Sequence, residues 1–237
     1  MPADMNKRPA EAAQAMEMLR EHSLATLAHQ ELERRIVSGE IAAGTKLNEV
    51  DVAGVFGVSR GPVREAFRAL GQAGLVRVEK NRGVFVRQVS LEEANEFYEV
   101  RAALEGLIGK LAARRIAIDE IEQLRAVVRR MQQLKKGRRA EDYFALNVEF
   151  HDLLARAARN NALLAHYRGV VNQLDLYRRA TLSHSVDNIP LSTCEHEAIV
   201  EAVAARDERR AQTLLTEHVL VGRARLHAAL GTRAPAP

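Results

Sequence analysis

Val58-Ser59-Arg60-Gly61-Pro62-Val63-Arg64-Glu65-Ala66-Phe67-Arg68 is the stretch on which the fold turns. Ser59 is a helix N-cap residue, and Pro62 fits a first helical turn, where a missing N–H costs nothing. The spacing therefore predicts a helix from just after Ser59 to about Gln72, stopped by Gly74. A shorter helix from about Val50 to Phe56 precedes it and ends at Gly57, which leaves only a tight Gly57-Val58 turn between the two. Arg60, Arg64 and Arg68 recur every fourth residue on one face, while Val63, Phe67 and Leu70 take the opposite face and point inward. A guanidinium row on a helix that follows a tight turn suits a DNA major groove. Arginine pairs with guanine O6 and N7 or with phosphate, and the first residues of such a helix reach base edges. Taken alone, the row is ordinary solvated surface, with Glu65 as a helical partner for Arg64 and Arg68. Its surroundings decide for DNA.

Upstream, Leu24, Leu27, Ala28, Leu32, Arg35 and Ile36 recur at three- and four-residue spacing, which predicts a helix with one apolar stripe that ends at Ser38-Gly39. Downstream, Leu75-Val76-Arg77-Val78 and Val84-Phe85-Val86-Arg87 are short β-rich runs around Glu79-Lys80-Asn81-Arg82-Gly83, a wing hairpin and the one place where strand is expected. The segment from Lys46 to Val89 holds eight basic and four acidic residues, so it carries as much net charge as the whole 237-residue chain, +4. Positive charge is concentrated where a groove would lie.

The composition bounds the remainder. One cysteine, Cys194, excludes an internal disulfide framework and a cysteine-based zinc ribbon. No run of about 18 apolar residues occurs and residues 1–20 lack a secretory core, so a soluble cytoplasmic protein without a membrane partner is expected. Those first 20 residues carry Pro2 and Pro9 and read as a flexible tail. Aromatic residues make up 4% of the chain and tryptophan is absent, which favours packed helices. Ser90-Leu91-Glu92-Glu93 fits a capping box and opens a second domain. Its pattern predicts six amphipathic helices: Leu91–Arg115, Asp119–Lys136, Ala140–Arg159, Ala162–Leu182, Leu191–Arg206 and Asp207–Leu230. The expected fold is mainly α, a winged helix–turn–helix over 21–89 followed by an all-α six-helix bundle over 90–232.

These residues resemble a known family. Ser38-Gly39-Glu40-Ile41, Gly44-Thr45-Lys46-Leu47-Asn48-Glu49, Val58 to Ala66 and Asn81-Arg82-Gly83-Val84-Phe85-Val86 together resemble the winged-helix reader of GntR transcription regulators, from about Leu24 to Val89. The resemblance implies DNA contacts from Arg60 and Arg64, phosphate contacts from Ser59, and an approach by the wing at Arg82 and Gly83. Arg68 completes the candidate face. Gly61 stands where the family often has threonine, so one hydroxyl contact to phosphate is expected to be missing. Leu91 to about Leu230 resembles the FCD sensing domain, in the shorter VanR-like group of the FadR subfamily.

Three histidines in the bundle, His151, His196 and His218, lie near apolar helix stripes. Converging imidazoles make a natural divalent-metal site, with zinc the default and nickel or manganese as alternatives; singly, each reads as an ordinary core histidine. Asn147-Val148-Glu149-Phe150-His151 with Asn160, then Glu195-His196 and Glu217-His218-Val219, are similar to the FCD metal pattern. The resemblance implies Asn147, His151, His196 and His218 as ligands. Asparagine replaces the usual aspartate, so the ligand set is neutral, which means either weaker metal retention or a stronger call for an anion to complete it; the second is expected, with a small organic acid as the effector. Arg101 either clamps that carboxylate or pairs with Glu105 at i+4. Asn172, Gln173 and Arg178 are candidate pocket residues, Tyr143 and Tyr177 are read as packing, and Cys194 as an ordinary buried cysteine or an adventitious ligand.

The function expected from this pattern is a homodimeric DNA-binding regulator, a repressor acting on a pseudo-palindromic operator, with no catalytic residue. A metal-dependent hydrolase with an accessory DNA-binding domain is the alternative, and Glu149 or Glu195 would be its base. A nucleoid-type binder is disfavoured because inward polar residues in a bundle are costly unless they bind something.

Overall fold

In the computed structural model, which describes residues 23–134, 140–180 and 189–232, the chain forms two compact units that divide between Gln88 and Val89. The expected tail over 1–20 and the expected break at Lys136-Gly137-Arg138 lie outside the described residues, as does the expected break across Ser183 to Pro190 as far as Asn188.

In the first unit, α1 (23–37) buries Ala25, Ala28, Leu32 and Ile36. Leu27, expected on this stripe, is 58% exposed because it sits one residue off the line that Ala28 and Leu32 define. α2 (Glu49–Phe56) starts at Asn48, whose side chain accepts from the Val50 N–H, and ends at Gly57, where φ is 64°. That left-handed backbone suits glycine and turns the chain at once into α3 (Arg60–Gln72). On α3, Val63, Phe67 and Leu70 are buried. Ser59 holds the N-cap position, yet its side chain makes no capping bond, contrary to expectation.

The wing has three strands instead of the expected two. β1 (Lys46–Leu47) pairs antiparallel with β3 (Gly83–Val86), which also pairs with β2 (Val76–Glu79), in the order β1-β3-β2. Two residues are too short to show an alternating pattern. β1 forms because β3 offers it a free edge, and the pairing buries Leu47.

In the second unit, α4 (Leu91–Arg115) begins with the expected capping box: Ser90 Oγ accepts from the Glu93 N–H, and the Glu93 carboxylate accepts from the Ser90 N–H. α5 (Ile118–Leu134), α6 (Ala140–Ala157), α7 (Asn161–Ala180), α8 (Ile189–Ala204) and α9 (Glu208–Ala229) follow. α8 starts two residues before the expected Leu191, since Pro190 is tolerated in a first turn and does not break the helix. Phe150, Leu154, Met131, Ile199 and Leu215 pack in one core.

α4 lies close against α9 because two glycines face it. A Cβ on Gly109 would stand 2.6 Å from the Ala211 carbonyl oxygen and 2.7 Å from Leu215 Cδ1, so a helix backbone would have to move. Gly109→Ala should therefore cost about 1–3 kcal/mol in denaturant unfolding. A change below ~0.5 kcal/mol would show that the two helices can part freely.

Candidate metal centre and nucleic-acid interface

The arginine row stands on the exposed face of α3, with the Arg60, Arg64 and Arg68 side chains 57%, 56% and 68% exposed. Arg68 pairs with Glu65, at 2.7 Å. Arg64 does not follow it. Its Nε donates to Glu49 on α2 at 2.8 Å, and Arg60 Nη2 donates to the same oxygen at 3.1 Å. On the wing, Arg82 pairs with Glu79 at 2.6 Å, and the Arg82 and Lys46 heads lie 5.7 and 5.9 Å from the Phe85 ring centre. Gly83 has φ 113°, and a Cβ there would come within 3.1 Å of Lys46 Cε. Glycine thus lets the wing strand keep this backbone beside a lysine stem.

In the bundle, α6 carries His151, α8 His196 and α9 His218, all buried, and one ring nitrogen of each lies within 4.8 Å of the others. Ring centres are 4.6–5.4 Å apart, and Phe150, fully buried, closes one side at 4.4 Å from His196. Each Nδ1 has an oxygen beside it. His218 Nδ1 bonds Glu195 at 2.7 Å, and His196 Nδ1 is 3.4 Å from the Tyr143 hydroxyl. His151 Nδ1 is 2.7 Å from Glu105 Oε2, an ion-pair distance without hydrogen-bond alignment. The Nε2 atoms of His151 and His196 are buried without a hydrogen bond. Three imidazoles with oxygen partners behind them and buried, unbonded nitrogens fit a divalent ion.

Two of these partners are themselves held by arginine. Arg101 donates to Glu105 at 2.7 Å, both residues on α4 and both buried, and Arg225 pairs with Glu195. Of the two expectations for Arg101, the i+4 pair is the one formed; its guanidinium is not a free clamp. Glu195 bonds His218 on α9 and not its chain neighbour His196, since successive helical residues point about 100° apart. Asn147 is buried one turn before His151. Asn172 is half-buried on α7, and the Arg178 side chain lies outside the described residues. Cys194 is exposed, which corrects both the buried-cysteine and the ligand expectations. Tyr143, read as packing alone, also meets His196, and Tyr177 packs against α4 and α9 side chains as expected. Asn160 accepts from the Leu163 N–H and starts α7. Sequence reasoning missed Arg225 and the reach of Glu49. The i+4 spacing of Arg101 and Glu105 was the only available signal for Glu105.

Burial pushes the Glu105 carboxyl up, but Arg101 and then His151 outweigh it and hold it at about 2. Burial pushes His151 down to about 4, and His196 is lowered too, again by burial first and then by His218 and His151. An unfolded histidine takes its proton near 6.5, whereas these stay neutral in the fold. Between pH 6.5 and about 4 the unfolded chain binds more protons, so the metal-free protein should lose stability as pH falls through that window. The expected loss is about 1.4 kcal/mol per pH unit for each histidine that stays neutral, read by urea unfolding at stepped pH. A flat profile would mean that these imidazoles titrate normally.

The fold and site define a winged helix–turn–helix unit followed by a helical unit that holds a buried histidine cluster. Residues 24–86 match the bacterial regulatory proteins of the gntR family and residues 96–220 match the FCD domain, and the chain belongs to this GntR family. It is 33% identical over 186 residues to the "Probable D-xylose utilization operon transcriptional repressor" of Paenarthrobacter nicotinovorans, covering 78% of this chain and 80% of that one. It is 29% identical to the HTH-type transcriptional repressor RspR of Escherichia coli K12, covering 79% and 82%. The solved structure of E. coli McbR/YncC shares the fold with a TM-score of 0.72 at 19% identity, covering 86% and 97%. The protein is a DNA-binding transcription regulator and not a hydrolase. Neither base proposed for a hydrolase is free: Glu149 pairs with Arg130 at 3.0 Å, and Glu195 is held by Arg225 and His218. No described helix is long and apolar enough to cross a membrane.

Proposed function

We propose that this regulator is a repressor whose operator affinity is set by a small organic acid bound at a divalent metal on His151, His196 and His218. The convergence of three buried imidazoles within 4.8 Å carries the reading. Zinc suits three neutral nitrogens with one position left open, and Asn147 lies close enough in sequence to add an amide oxygen. When bound, the ion supplies a Lewis-acidic position for a carboxylate. The residues around it leave its charge largely uncompensated, since Glu105 and Glu195 are already balanced by Arg101 and Arg225. An acid that reaches Arg101 must displace Glu105, while Asn172 and Arg178 on α7 are the further candidate contacts. Both partners of that exchange sit on α4, whose cap Ser90 follows the wing strand by only a few residues. Displacing Glu105 would bias α4 and so the reader, with an expected coupling of about 1–3 kcal/mol.

The reader side rests on Ser59, Arg60, Gly61, Arg64 and Arg68 on α3 and its cap, with Arg82 and Gly83 on the wing. Two-fold dimers on a pseudo-palindromic site would double these contacts. The length and metal-ligand pattern of the bundle favour the VanR-like group. Elemental analysis and mass spectrometry of the purified protein should find about one divalent metal per chain and a small acid. Gel shifts on a duplex selected from a random pool should then respond to small acids only before chelation. An acid response that survives metal removal would overturn the reading.

A further inference from the structure

Glu49 is the first residue of α2, next to the Asn48 cap, and its side chain crosses the helix–turn–helix to α3. One of its oxygens accepts from both Arg60 and Arg64. That leaves each guanidinium with further N–H donors on an exposed face: Arg60 has spent Nη2 and Arg64 has spent Nε. Arg68 differs, because its partner Glu65 is on its own helix. The carboxylate therefore ties two neighbouring heads to one point and to each other.

We propose that Glu49 is a specificity-determining positioning residue, which holds Arg60 and Arg64 side by side for base edges and opposes their loose attachment to phosphate. The inference rests on the reading of Arg60 and Arg64 as DNA contacts. Two physical effects act in the same direction. Heads already fixed lose less side-chain freedom when they meet a base pair that matches their spacing. On any other sequence the arginines can engage only phosphate, and there the nearby negative charge weakens the pull. Asp51 shares the first turn of α2, is exposed, and pairs with neither arginine, so it serves as an internal control for charge alone.

The test compares Glu49→Gln, Glu49→Asp, Asp51→Asn and Arg60→Ala with the full wild-type chain. Fluorescence anisotropy reads binding to a duplex selected from a random pool by the wild type and to a scrambled duplex, across a salt series. Melting curves confirm folding. Glu49→Gln should bind the scrambled duplex about threefold to tenfold more tightly, the range that two exposed ion pairs allow. Its log affinity should fall with log salt more steeply by about 0.9, as for one further phosphate contact. The ratio of selected to scrambled affinity should drop about tenfold. Glu49→Asp, which keeps the charge but draws it back by one methylene, should lower the ratio too, and Asp51→Asn should leave it within about twofold. An unchanged ratio in both Glu49 variants, or an equal change in Asp51→Asn, overturns the proposal. Arg60→Ala separates the two readings: if it leaves selected-duplex binding intact, the assignment of the DNA face itself fails, whereas a loss there with inert Glu49 variants removes Glu49 alone.

Discussion

Arg101→Met should lower the free energy of unfolding of the metal-free protein by about 3–5 kcal/mol, because it strands a buried carboxylate. Glu105 is 1% exposed, and its carboxylate lies 2.7 Å from both Arg101 and the neutral His151. Removing the guanidinium takes away the cation paired with Glu105, so the folded state must carry a buried anion without that partner or take up a proton. The cost should therefore shrink between pH 8 and pH 5, as Glu105 or His151 becomes protonated. Replacing both residues, Arg101→Met with Glu105→Leu, should recover most of the loss, since an apolar pair of similar size has no charge to bury. Urea unfolding of the two variants gives the comparison. A single-variant loss below about 1 kcal/mol would mean that water reaches Glu105.

Zinc added to chelated wild-type protein at about a thousand times its dissociation constant should stabilise the fold by about 4 kcal/mol, on the order of 10 °C in melting temperature. His196→Ala should abolish this shift. His196 is one corner of the triangle of imidazoles, with ring centres 5.4 Å from His151 and 4.6 Å from His218, so its loss leaves two imidazoles and a void against Phe150. Some stability is lost in the metal-free variant too, and the difference with and without zinc isolates the ion. Cys194→Ser should leave the shift intact, because Cys194 is exposed. A zinc shift that survives in His196→Ala would place the ion elsewhere.

Much of the fold is legible locally. Gly57, the Ser90–Glu93 capping box and the four-residue arginine spacing each act within a few residues, and each element they predict is present. β1 was not legible, because two residues make a strand only when β3 pairs with them. Pro190 misled for the opposite reason: a breaker in mid-helix is harmless in a first turn.

For the site, residue types at helical spacing determined that Arg60, Arg64 and Arg68 share an exposed face and that His151, His196 and His218 turn toward the core. Periodicity fixes which way a side chain points from its own helix. Tertiary structure alone decided what each one meets. Glu49 reaches Arg64 across 15 positions of sequence, Glu195 serves His218 across 23, and Arg225 holds Glu195 across 30. Such pairs depend on the angle and separation at which helices pack: for Glu49 and Arg64 these follow from the turn at Gly57 between α2 and α3, and for the two bundle pairs from the core around Phe150 and the glycines that admit α9 to α4.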